Sequence, residues 1–184
     1  MKISNYIIAA FFVAAAGGTL GMFITAKHHE PEGNNRFTTT EFALPDFSVI
    51  VAQDSVRFSI DGAGGNHWTV VYHEKKAPVN SEWYQVQGDT LFVASHTEFR
   101  PVLHIEEISE ISILATEKSL IDIRNIKADR VMIASDHGFV TLRDNNQIKS
   151  LEATLFHESS LRSYSRNHQK VTVEKDSSSR YSLY

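Results

Sequence analysis

From Ile111 to the C-terminus the chain places a short apolar triplet about once every ten residues, and few folds accept that rhythm. Apolar-x-apolar or similar triplets begin at Ile111, Ile121, Val131, Val140, Leu151, Leu161, Val171 and Tyr181, with steps of 10, 10, 9, 11, 10, 10 and 10. Alternation with a period of two marks a half-buried strand. Polar runs separate the triplets, among them Glu117-Lys118-Ser119, Asp136-His137-Gly138, His157-Glu158-Ser159-Ser160 and Asp176-Ser177-Ser178-Ser179. An antiparallel meander folded as a sandwich or barrel spaces its strands similarly. Each triplet, however, offers only two inward positions, and the polar breaks recur at about 20 residues, the period of a stacked repeat. The expected fold class is all-β: a short parallel β-solenoid (β-helix) with coils of about 20 residues, whose rungs hydrogen-bond at roughly 4.8 Å.

Such stacking fixes a register. Counting four residues past the second apolar position of alternate triplets aligns Glu117, His137, His157 and Ser177 on one corner. The opposite corner carries Asn145-Asn146-Gln147 and Arg166-Asn167-His168-Gln169, with Asn146 and Asn167 21 apart. Stacked amides hydrogen-bond along a stack, so these asparagines are read as structural.

Upstream of the rhythm the chain is also strand-like. Val49-Ile50-Val51, Val56 to Ile60 and Trp68 to Tyr72 are short and rich in β-branched and aromatic residues. Tyr84-Gln85-Val86 and Leu91-Phe92-Val93, joined through Gln87-Gly88-Asp89, predict a hairpin. Trp68, Tyr72, Trp83 and Tyr84 cluster here. Exposed, they would serve a glycan or protein partner; buried, they would cap an open end with unpaired strand edges, which is the preferred reading.

The N-terminal part sets location. Tyr6 to Ala26 holds no charged residue, and about 20 apolar residues span the hydrocarbon core of a bilayer as a helix. Residues 1–26 are expected to be a signal anchor or a signal peptide. Ala14-Ala15-Ala16 could serve cleavage, but cleavage there would leave the apolar stub Leu20 to Ala26, so an uncleaved transmembrane helix is preferred. Lys2 precedes the span, while Lys27 behind it is followed by Glu30 and Glu32, which directs the rest of the chain out of the cytoplasm. Residues 27–41, with Pro31 and Gly33, read as a flexible tether, and the solenoid domain is expected over 42–184. The adjacent His28 and His29 are read as solvated.

Composition narrows the functions. The net charge is −4, which argues against a nucleic-acid partner. The chain has no cysteine, which excludes disulfides, thiolate metal sites, a cysteine nucleophile and a lipidated cysteine anchor.

An N-terminal apolar segment, then "FSVIV" and "VRFSI", then "VQGDTLFV", then "VLHIEEISEISILATEKSLIDI" running into ten-residue β triplets, resembles the GIN domain family, described as a "putative auto-transporter adhesin head domain". The resemblance spans roughly Phe42 to Tyr184. It implies a β-solenoid in an envelope protein and brings no catalytic residues with it. Family members commonly place Gly and Ser at the turns; here Gly138 is accompanied by Ser119, Ser159, Ser160 and Ser178.

Enzyme signatures are missing from the sequence. There is no G-x-S-x-G and no phosphate loop, and the His-Glu pairs at 29, 73 and 157 lack the second histidine of a zinc hydrolase. The outward triplet residues Ser112, Asp122, Met132, Thr141, Glu152, Arg162, Thr172 and Ser182 form a mixed surface without an acidic cluster. No catalytic, cofactor-binding or metal residue is assigned, and no cofactor is expected. The sharpest constellation is the column Glu117, His137 and His157, a carboxylate and two imidazoles of the kind zinc takes. The expected function is a non-enzymatic, membrane-tethered extracytoplasmic module, attached through residues 6–26 to the inner membrane. It would act through its surface in cell-envelope adhesion, organisation or sensing, with an envelope protein or glycan as partner. The alternative is an envelope glycan- or metal-binding protein.

Overall fold

The computed structural model describes residues 37–73, 83–94, 101–143, 145–165 and 168–184. These form fifteen strands and no helix. The strands are β1 (Phe37–Ala43), β2 (Val49–Ala52), β3 (Arg57–Asp61), β4 (His67–His73), β5 (Tyr84–Gln87), β6 (Thr90–Val93) and β7 (Val102–His104). They continue with β8 (Ile108–Thr116), β9 (Leu120–Arg124), β10 (Lys127–Asp136), β11 (Phe139–Leu142), β12 (Gln147–Phe156), β13 (Ser160–Ser163), β14 (Lys170–Lys175) and β15 (Arg180–Leu183).

Two open sheets share the strands. One has the order β1-β4-β7-β3-β9-β11-β13-β15, the other β14-β12-β10-β8-β2-β6-β5. From β8 onward successive strands alternate between the sheets, and neighbours within a sheet pair in parallel about two strands on. Val131 stands opposite Ile111 on one side and Leu151 on the other, and Leu151 opposite Val171. Val140 likewise stands between Ile121 and Leu161. Alternation turns these residues inward: Ile111, Val131, Leu151, Ile121, Val140 and Leu161 are all buried and belong to one hydrophobic core. No single pair of strands holds enough apolar surface for a core, so each depends on the strands beside it.

The β-solenoid expected from the rhythm is corrected by the pairing. Both sheets are mixed: β1 with β4, β4 with β7 and β5 with β6 are antiparallel. Strand order is not chain order either, since β2 lies beside β8 and β3 beside β9, strands some 60 residues apart. The chain before residue 108 doubles back rather than winding in successive coils. The physical reason is that triplet spacing specifies where strands fall and which side chains point inward, but not which strand supplies each neighbour's hydrogen bonds. The transmembrane helix called for over 6–26 lies outside the described residues, as do His28, His29 and Asn167; among the described residues no helix is long and apolar enough to cross a membrane. Residues 37–41, assigned to the tether by sequence, are instead the start of β1, paired from Phe37 with His73 to Ala43 with His67.

Local chemistry accounts for the other elements. Gln87 pairs with Thr90, so Gly88 and Asp89 make the two-residue turn of the expected hairpin, and Gly88 takes φ +64, the conformation such turns require. Trp68 and Trp83 are buried and meet edge to face at 5.0 Å, with Phe58 on Trp68 at 5.5 Å and Phe42 on Trp83 at 6.1 Å. These aromatics are core, not an exposed binding platform.

Candidate functional site at the Asp136 corner

The strands of one sheet reach the other through tight corners, and the corners carry the unusual backbone. Glu117, Lys118, His137, His157 and Glu158 all have φ between 49 and 64, a left-handed conformation that costs a residue with a Cβ roughly 1–2 kcal/mol. Small side chains make the corners possible. Ser119 and Ser159 are buried just after the turns, and their hydroxyls donate back to the carbonyls of Thr116 and Phe156. Gly138 stands in the same row, where a Cβ would lie 2.6 Å from Ser135 Oγ and 2.9 Å from the Ala115 carbonyl oxygen.

This stacking brings His137 and His157 into register. Their rings stack with centroids 5.2 Å apart and planes 16° from parallel. Nδ1 of each lies 2.8 Å from the same oxygen, Asp136 Oδ1. An ionised carboxylate only accepts, so each imidazole donates through Nδ1–H. The Asp136 carboxyl is held below its usual range, first by the hydrogen bond from His157 and further by that from His137, against a partial desolvation. All three side chains are about half exposed.

The backbone beneath them is pinned. His137 N–H donates to the Phe156 carbonyl and the His137 carbonyl accepts from Lys118 N–H. His157 N–H donates to Asp176 Oδ2 at 2.7 Å, and Glu158 N–H to Ser178 Oγ at 3.0 Å. Asp176 is itself held far below the ordinary aspartate range, foremost by the His157 N–H, with Ser179 and Ser178 donating as well.

The sequence-derived column therefore places its two histidines together but not its carboxylate. Among the described residues the group whose donor atoms could hold a metal ion is Asp136, His137 and His157, with those atoms within 4.8 Å of one another; Glu117 is outside it. Counting along corners missed Asp136 because that residue ends a strand. It is the last residue of β10, paired to Phe156, and so its short side chain leaves the sheet beside the next row's turn. The usable signal was the pairing of an outward Asp with a His immediately before Gly138.

Two other features are structural. Asn146 is buried and bonds Ile126, Ile123 and Arg143 backbone groups. A groove lined by Glu107, Lys127, Asp129, Gln147, Lys149 and Gln169 has its charges matched across rows, Lys149 to Asp129 at 2.6 Å and Lys127 to Glu107 at 3.7 Å. By contrast, two large apolar side chains flank the Asp136 corner in the open: Phe156, 48% exposed, directly before His157, and Phe139, 41% exposed, directly after Gly138.

No family model matches the chain, and neither does any curated protein. Solved structures do. A "putative adhesin" from Bacteroides fragilis is 10% identical, with 82% of this chain and 98% of that chain covered and a TM-score of 0.42. A "putative adhesin" from Parabacteroides merdae is 11% identical over 83% of this chain and 98% of that chain, TM-score 0.35. A "putative lipid binding protein" from Parabacteroides distasonis is 10% identical over 83% and 98%, TM-score 0.31. Identities near a tenth with TM-scores this low are too loose to carry function from one chain to another.

Proposed function

We propose that the chain is a non-enzymatic module held at the inner membrane through residues 6–26, with its β domain on the extracytoplasmic side, acting through its surface in envelope adhesion, organisation or sensing. The family resemblance belongs to this reading. The observation that carries it is the pair Phe139 and Phe156, exposed on either side of one corner while the inward positions of the same strands are sealed. Other large apolar side chains are exposed as well, Phe37, Leu183 and Tyr184 among them, but these two phenylalanines flank the same corner, and clustered aromatics are the residues that dominate protein contacts once covered. Side chains fill the space between the sheets, and the buried serines and Asn146 are used in turns, which leaves the outer surface as the part able to meet a partner.

The test compares tagged full-length protein with its Phe139→Ser/Phe156→Ser variant after cross-linking in native membranes. A protein or glycan recovered with the first and lost with the second, at equal melting temperature, is the expected outcome. Equal recovery refutes a role for this corner. Location is tested separately: protease added to intact spheroplasts should digest the β domain, and protection would refute the extracytoplasmic placement.

A further inference from the structure

We propose that Asp136, His137 and His157 form a binding site for a zinc-class divalent transition ion. The donor set suits it, since one carboxylate and two imidazoles are hard-to-borderline ligands of the kind that zinc and its first-row neighbours take. The geometry suits it as well. Ligands bonded at about 2.0–2.2 Å stand about 3.3–3.6 Å apart around a tetrahedral ion, and both Nδ1 atoms lie 2.8 Å from Asp136 Oδ1, so the cluster needs to open by roughly half an ångström to take one. Both Nδ1 positions already aim at one point, now held by Asp136 Oδ1; an ion takes that point when the Asp136 carboxylate swings aside to remain a ligand, and all three side chains are at least half exposed.

What separates this from a chance meeting of surface side chains is the support below. Both histidines occupy left-handed φ, at 59 and 49, held there by the hydrogen bonds from Lys118 and to Phe156 and Asp176. Each histidine is thus fixed at its root by the neighbouring row, an arrangement that lowers the ordering cost of binding. On binding, the ion replaces the two Nδ1 protons between ring and carboxylate. A ring that is neutral before binding keeps its one proton, carried to Nε2 by exchange with water, and a protonated ring gives up the Nδ1 proton to water. Three protein donors leave the remaining coordination positions toward solvent, open to water or to a donor from a partner.

This site does not rest on the surface-module reading, which is carried by Phe139 and Phe156. With nine histidines in the chain, including His28 and His29, the experiment must be site-specific. Zinc is titrated against the full chain carrying His28→Ala/His29→Ala, in competition with a chromophoric chelator, and against the same chain with His137→Asn, His157→Asn or Asp136→Asn. Asparagine tolerates the left-handed turn, so the histidine variants keep the fold, which circular dichroism checks. The expected result is one saturable ion per chain, with affinity weakened roughly tenfold or more by each variant, since even groups that merely orient ligands are worth 10–100-fold. Imidazole ¹⁵N spectra should show zinc shifting the Nδ1 signals of His137 and His157. No saturable binding, unchanged affinity in all three variants, or zinc-induced shifts confined to other histidines would overturn the site and leave a hydrogen-bonded triad only.

Discussion

Replacing Asn146 with alanine should be among the most damaging single changes available to this domain. The side chain is fully buried. Its Oδ1 accepts from Ile126 N–H at 2.9 Å, and its Nδ2 donates to the carbonyls of Ile123 at 3.2 Å and Arg143 at 2.8 Å. In the alanine variant Ile126 N–H loses its acceptor inside the corner, a cost of about 1–3 kcal/mol for a buried unsatisfied donor. Ile123 is less affected, because its carbonyl still accepts from Arg143 N–H at 2.8 Å. Adding about 1 kcal/mol for the bonds lost by Nδ2 brings the total to about 3 kcal/mol. For a domain near 150 residues that corresponds to a fall in melting temperature of roughly 6–12 °C. Urea unfolding followed by circular dichroism measures it directly. Gln147→Ala, at an exposed neighbour, should stay within about 0.5 kcal/mol, and Asn146→Asp should be no better than alanine because it sets a carboxylate against two carbonyls. A loss for Asn146→Ala of under about 0.5 kcal/mol with an unchanged denaturant slope would refute the claim that this amide holds the corner.

Gly138→Ala should destabilise by about 1–3 kcal/mol through overpacking against Ser135 Oγ and the Ala115 carbonyl, read as a lowered melting temperature; a neutral result would mean that the corner relaxes freely. Trp68→Ala, removing a buried ring that meets Phe58 and Trp83, should cost about 3–5 kcal/mol and abolish most of the near-ultraviolet dichroism. Asp176 titrates below its ordinary 3.8 in the folded chain, so the unfolded carboxyl takes a proton first as pH falls. Its contribution to stability is therefore complete above about pH 4 and lost as pH drops through the folded value. Asp176→Asn should flatten that part of the acid-unfolding curve, and superimposable curves for variant and wild type would count against it.

Much of the local structure was legible in the residues. The triplets at Ile121, Val131 and Val140 lie in β9, β10 and β11 with their apolar members inward, because period-two alternation is a property of the chain itself. The hairpin through Gly88 is local too, since a residue without a Cβ was available where φ had to be positive. The candidate site was half legible. His137 and His157 are 20 residues apart, which the spacing aligns, whereas the carboxylate between them comes from a strand end that a count along the turns passes over.

The sequence by itself determined that the described chain is all strand and corner, which side chains face inward, and that small residues and histidines fall at the turns, because these follow from alternation and from the steric demands of single residues. Only the tertiary structure decided that the strands share two mixed sheets, that β2 and β3 lie against strands some 60 residues later, and that Asp136 sits between two imidazoles. Strand partners are chosen by hydrogen bonds and packing between distant segments, and any edge with the right alternation can accept more than one neighbour.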